Sequence, residues 1–175
     1  MKPLVFTLAL TLAAVALPGA YSPVRAQAAS VVDSTLLAGL DQCIAISKGA
    51  TLEAAAAKLG FGPPKPDGAR WLSKDGADFS LRFESVPLGS SGKTLHQCGL
   101  GGEPPLADAI ILPRLQAKAR ELGLTAKPAW VTDQGGRVTE FGRADESVTL
   151  MWVQFDPSPR RPKGLSVITF GWVTG

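Results

Sequence analysis

The chain has 175 residues, 45% of them hydrophobic, with 18 basic and 15 acidic side chains, one histidine and two cysteines. This balance excludes a disordered or fibrous chain and suits one packed domain. It leaves no basic surplus large enough for a nucleic-acid binder, and too few Cys and His residues for a four-ligand zinc site.

The N-terminus is read first. Lys2 precedes an apolar run, Leu4 to Leu17, interrupted only by Thr7 and Thr11. Pro18-Gly19 break any helix, small residues follow, and Ala26-Gln27-Ala28 fits an A-x-A cleavage site. This is the layout of a secretory signal peptide, residues 1–28. Val24-Arg25-Ala26 offers a second cut. The run is shorter than the roughly 20 residues that span a bilayer. Loss of Lys2 and Arg25 leaves 16 basic residues against 15 acidic ones. The remaining segment, 29–175, is expected to be a single α+β domain, periplasmic or secreted, with no transmembrane segment after processing. Cys43 and Cys98, 55 positions apart, are expected to form a disulfide there.

Asp33 or Ser34 is expected to cap a first helix, whose apolar face carries Leu36, Leu37, Leu40, Cys43 and Ile44. Thr51 caps a second, Leu52 to Leu59, which Gly60 terminates. Residues 62–68 hold three prolines and two glycines and read as loop. Strands 70–73 and 78–86 flank the turn Lys74-Asp75-Gly76. Residues 87–98, "PLGSSGKTLHQC", imitate a phosphate loop. The pattern G-x-x-x-x-G-K-[ST] fails because Pro87 stands where its first glycine belongs. His96 to Gly102 reads as loop. A third helix, 106–122, is expected to break or kink at Pro113. A four-stranded meander follows: 129–132, 137–142, 147–155 and 165–173. Its last two strands are apolar on both faces, which predicts central strands or strands covered on a second side. Trp152 and Trp172 are expected as cross-strand neighbours.

"LEAAAAKLGF" at 52–61 aligns without gaps with "LQAKARELGL" at 115–124. Each run leads to a tryptophan, a glycine-containing turn and a second strand. The predicted fold is therefore helices packed on an antiparallel sheet, with two pseudo-repeated helix–hairpin units at 34–100 and 103–175. Trp71 and Trp130 are then equivalent core residues between helix and sheet, with a ligand platform as the alternative. In layout alone, this element order resembles small exported modules of the β-lactamase-inhibitor and outer-membrane-assembly type. No residue is carried over from that resemblance.

No catalytic motif is present, and no cofactor or metal is expected. The expected function is that of an exported, non-catalytic binding module. Its partner would be an envelope protein or an anionic surface component, met by Arg160, Arg161 and Lys163 in the proline-rich loop 156–164. One alternative is a binder of small hydrophobic ligands in a gap lined by Trp71, Trp130 and Phe141. Another is a hydrolase using Ser90 or Ser91 with His96, although the G-x-S-x-G elbow is not formed there.

Overall fold

The computed structural model describes residues 23–159 and 161–175, the first seven by backbone alone. The expected leader lies outside the described residues as far as Ser22. The rest of it is backbone of α1 (Pro23–Ser47), which starts ten residues before the expected cap at Asp33. Asp33 does not cap a helix end. It is buried inside the helix and paired with Arg114. Val32, Leu36, Leu40 and Cys43 make the buried stripe of α1, at the spacing that one helical face requires.

α2 (Leu52–Leu59) forms as its sequence predicts. Thr51 Oγ1 accepts the Ala54 N–H at 3.2 Å, and Gly60 ends the helix at φ 82°, a conformation that only glycine adopts without strain. β1 (Arg70–Lys74) and β2 (Ala77–Pro87) form the expected hairpin. β3 (Thr94–Glu103) follows. α3 (Asp108–Glu121) runs through Pro113 without interruption. Two-residue strands β4 (Thr125–Ala126) and β5 (Trp130–Val131) lead into β6 (Arg137–Gly142), β7 (Val148–Phe155) and β8 (Leu165–Thr174).

The eight strands make one antiparallel sheet in the order β1-β2-β3-β8-β7-β6-β4, with β5 also on β6. The fold is α+β, with helices packed on the sheet. β3 corrects the loop expected at 96–102. Its glycines lower strand propensity, but β2 and β8 pair with it on both sides, and pairing on both edges outweighs propensity. Cys98 of β3 is disulfide-bonded to Cys43 of α1, which ties the first helix to the middle of the sheet. The disulfide fits an oxidising compartment. Among the described residues no helix is long and apolar enough to cross a membrane.

Alternation sorts the strand residues onto two faces. On the inner face, Phe79, Leu100, Leu150, Trp152, Ile168 and Phe170 meet α1 and α3 in one core, and α2 packs against α1. Two glycines let α1 lie close. A Cβ at Gly39 would collide with Leu100, and one at Gly102 would stand 3.1 Å from Val32. Two inner-face polar groups of the sheet are paired with α3 and the segment before it: the Trp152 indole donates to Asp108 at 2.8 Å, and Ser166 Oγ accepts the Leu106 N–H at 2.9 Å. Trp152 and Trp172 do not oppose each other. Ile168 lies across from Trp152, and Val148 and His96 lie across from Trp172. The expected units are unequal in strand number. The first supplies β1, β2 and most of β3, and the second supplies β4 to β8.

Candidate functional site

No helix among the described residues covers the outer face. Trp71 and Trp130 are therefore not core residues: they are 46% and 45% exposed. Strand register is the reason. Trp71 pairs with Ser80, and the chain of pairings then runs through Gly101, Val167, Val153 and Val138 to Trp130. The two tryptophans thus close the two ends of a single transverse row across seven strands. At about 4.8 Å per strand, the row is about 29 Å long. Trp130 donates its indole N–H to Glu140 at 3.2 Å. Lys65 Nζ stands 4.9 Å over the Trp71 ring, a cation–π contact that steadies the ring.

Between these ends, β3 presents Gly99 and Gly101 outward, and the missing side chains leave a recess of about 250 Å³. Arg82 and Glu84 of β2 form one wall, Val167 and Thr169 of β8 the other, and Gln97 closes one end. A second recess of about 220 Å³ adjoins it at Ser80 and Gly101 and is bordered by Trp71, Asp78, Glu103 and Leu165. The charges are largely matched. Arg82 reaches Asp67 at 3.3 Å and Glu84 at 3.8 Å. Asp78 accepts from Ser73 at 2.7 Å and from Lys163 at 2.9 Å. The Ser73 hydroxyl first, and Lys163 second, hold the Asp78 carboxyl below its ordinary pKa.

The loop 156–164 forms one rim of this face. Lys163 is held by Asp78. Arg161 donates to Gln134 Oε1 at 2.7 Å and lies 4.1 Å over the Phe155 ring. Arg160 lies outside the described residues. Both described cations of the loop are therefore drawn back onto the fold.

The residues expected around a hydrophobic gap are not brought together. Trp71 borders the second recess on the outer face, Trp130 lines a separate one beside Asp108 and Trp152, and Phe141 is 4% exposed in the core. The serines expected beside His96 are not its partners either. Ser91 Oγ donates to the Leu88 carbonyl at 2.6 Å inside the β2–β3 turn, and Ser90 sits in the same turn. His96 instead has Ser85 Oγ at 2.8 Å from Nδ1 and Thr174 Oγ1 at 2.9 Å from Nε2. Its ring lies between Trp172 and Phe83, with centroids at 5.3 and 6.1 Å. Sequence spacing could not bring Ser85 or Thr174 to His96. Only the pairing of β2, β3 and β8 does so.

Comparison with known proteins finds no family that matches the chain, and no matching curated protein or solved structure. Functional inference therefore rests on the geometry above.

Proposed function

We propose that this protein is an exported, non-catalytic binding module that meets an envelope protein or surface component through the open face of its sheet. The observation that carries the reading is the transverse row ended by two half-exposed tryptophans over a floor of small residues. Large aromatics held out of a core that has room for Trp152 are costly to leave in water. Tryptophan is also the side chain most enriched where binding energy concentrates. The loop carrying Arg161 and Lys163 supports the face as a rim.

Affinity capture tests this. The mature chain is the bait in an envelope extract, beside Trp71→Ala/Trp130→Ala and Arg161→Ala/Lys163→Ala variants. The expected result is a captured component lost with the tryptophan variant and retained with the loop variant. The reverse pattern would move the contact to the loop, and retention by both would overturn the role of the face.

A hydrolase is the second reading, and the Ser85–His96 contact favours it. A histidine beside a hydroxyl can serve as general base. Against this, the other ring nitrogen is engaged by Thr174, and no carboxylate among the described residues orients the ring as a triad requires. Ester hydrolysis by the wild type that His96→Ala abolishes would establish it.

A further inference from the structure

We infer that the groove along β3 on the open face is a binding site for a neutral oligosaccharide, with Trp71 as the stacking platform. This rests on the proposed role of the open face and names the class of ligand that the groove fits.

The floor comes first. A glycine inside a strand weakens it and often marks close approach of a ligand or another chain. Gly102 and Gly39 are explained within the fold by the approach of α1. Gly99 is not. A Cβ there would stand 3.5 Å from Thr169 Oγ1, an ordinary contact, and nothing in the fold excludes it. At Gly101 the nearest atoms are side-chain ends, Ser80 Oγ at 2.9 Å and Leu165 Cδ1 at 3.3 Å. What a side chain at either position would fill is the recess itself.

The walls specify the chemistry. Arg82 only donates hydrogen bonds, Glu84, Asp78 and Glu103 only accept when ionised, and Ser80, Thr169 and Gln97 do both. That alternation suits a ring of hydroxyl groups. Arg82 is already matched by Asp67 and Glu84, and Asp78 by Lys163, so an anionic ligand would find the guanidinium engaged and a cationic one would find Asp78 and Glu84 engaged. A fatty chain would strip water from Arg82, Glu84 and Gln97 and give no hydrogen bond in return. An extended peptide would have to pair its backbone groups, and the face of a sheet, unlike its edge, has no free N–H or C=O to offer. A pyranose has one apolar C–H face that stacks on an indole ring, and the half-exposed Trp71, with Lys65 Nζ 4.9 Å over its ring, borders the groove at its end. The two adjoining recesses, about 250 and 220 Å³, together reach the volume of common ligand sites.

The test is calorimetric titration of the mature protein with chitotetraose, cellotetraose and maltotetraose, with lauric acid and a sulfated oligosaccharide as controls. The expected result is saturable binding of a neutral tetrasaccharide, weakened about tenfold or more by Trp71→Ala. Gly99→Val, which fills the groove, should abolish it while the denaturation midpoint holds or rises. Gly99→Ala is the milder second variant should valine disturb folding. Binding by neither wild type nor variants overturns the oligosaccharide, as does preference for lauric acid or the sulfated sugar. Envelope capture with Gly99→Val separates the two readings. If a captured protein is lost with that variant while all three sugars stay flat, the sugar is wrong and the open face stands. If capture is indifferent to Gly99→Val and the sugars stay flat, the groove reading falls as a whole.

Discussion

Strand β3 is the place to compare the two faces of the sheet, because it lies between them. On one side Cys98 and Leu100 are sealed under α1, and Gly102 is small because Val32 and Phe79 press on it. On the other side Gly99 and Gly101 open a recess, and Trp71 stands half in water at its end. The same residue type therefore has two causes along one strand. Inward, glycine is demanded by packing. Outward, at Gly99, no close contact demands it, and at Gly101 the only close neighbours are side-chain ends, Ser80 Oγ at 2.9 Å and Leu165 Cδ1 at 3.3 Å. The proposed groove gives the outward glycines a role that the packing of the fold does not.

The largest test of this contrast uses two tryptophans. Trp152→Ala removes a fully buried ring and strands Asp108, so it should cost about 3–5 kcal/mol. Trp71→Ala removes a half-exposed ring and its contact with Lys65, so it should cost about 1 kcal/mol or less. Chemical denaturation of the two variants decides this, and equal losses would erase the distinction between the faces.

The glycines give the next test. Gly102→Val overpacks the seam under α1 and should cost about 1–3 kcal/mol. Gly99→Ala removes the flexibility of a strand glycine and should gain about 0.5–1 kcal/mol. A loss at Gly99 as large as the loss at Gly102 would mean that the outer glycines are structural as well.

The smallest effect concerns Asp78 at the rim. Its carboxyl is held below its ordinary value of 3.8, by Ser73 first and Lys163 second. A depressed folded-state pKa contributes stability above the unfolded value, and that contribution is lost as pH falls through the folded one. Asp78→Asn should therefore lower the denaturation midpoint slightly at about pH 7, by a difference that shrinks as the medium is made more acid than the ordinary carboxyl value of 3.8. A difference that persists in acid would assign the effect to packing rather than charge.

Much of the fold was legible in the chain. The apolar spacing of α1, the Thr51 and Gly60 caps of α2, the hairpin around Asp75-Gly76 and the final meander all follow from local periodicity and turn chemistry. The Cys43–Cys98 pairing follows from cysteine count. β3 was not legible, because glycine at three of its ten positions hides a strand that exists only through partners far away in sequence. The site was obscured for the same reason. Whether Trp71 faces core or solvent depends on one step of register against Ser80, and His96 meets Thr174 across 78 positions of chain. The apolar residues on both sides of β7 and β8 did announce central strands, with cover on a second face as the other reading. They could not say that the fold would leave it bare.

The far edge of the sheet carries a consequence of its own. There β6 is flanked by two fragments, β4 and β5, of two residues each, with Lys127, Pro128 and Ala129 between them. Proline has no N–H to donate, and a broken border is a poor template for another chain. Self-templated polymerisation, the common hazard of an exposed sheet rim, is thereby discouraged, even though the sheet keeps a broad unclad surface.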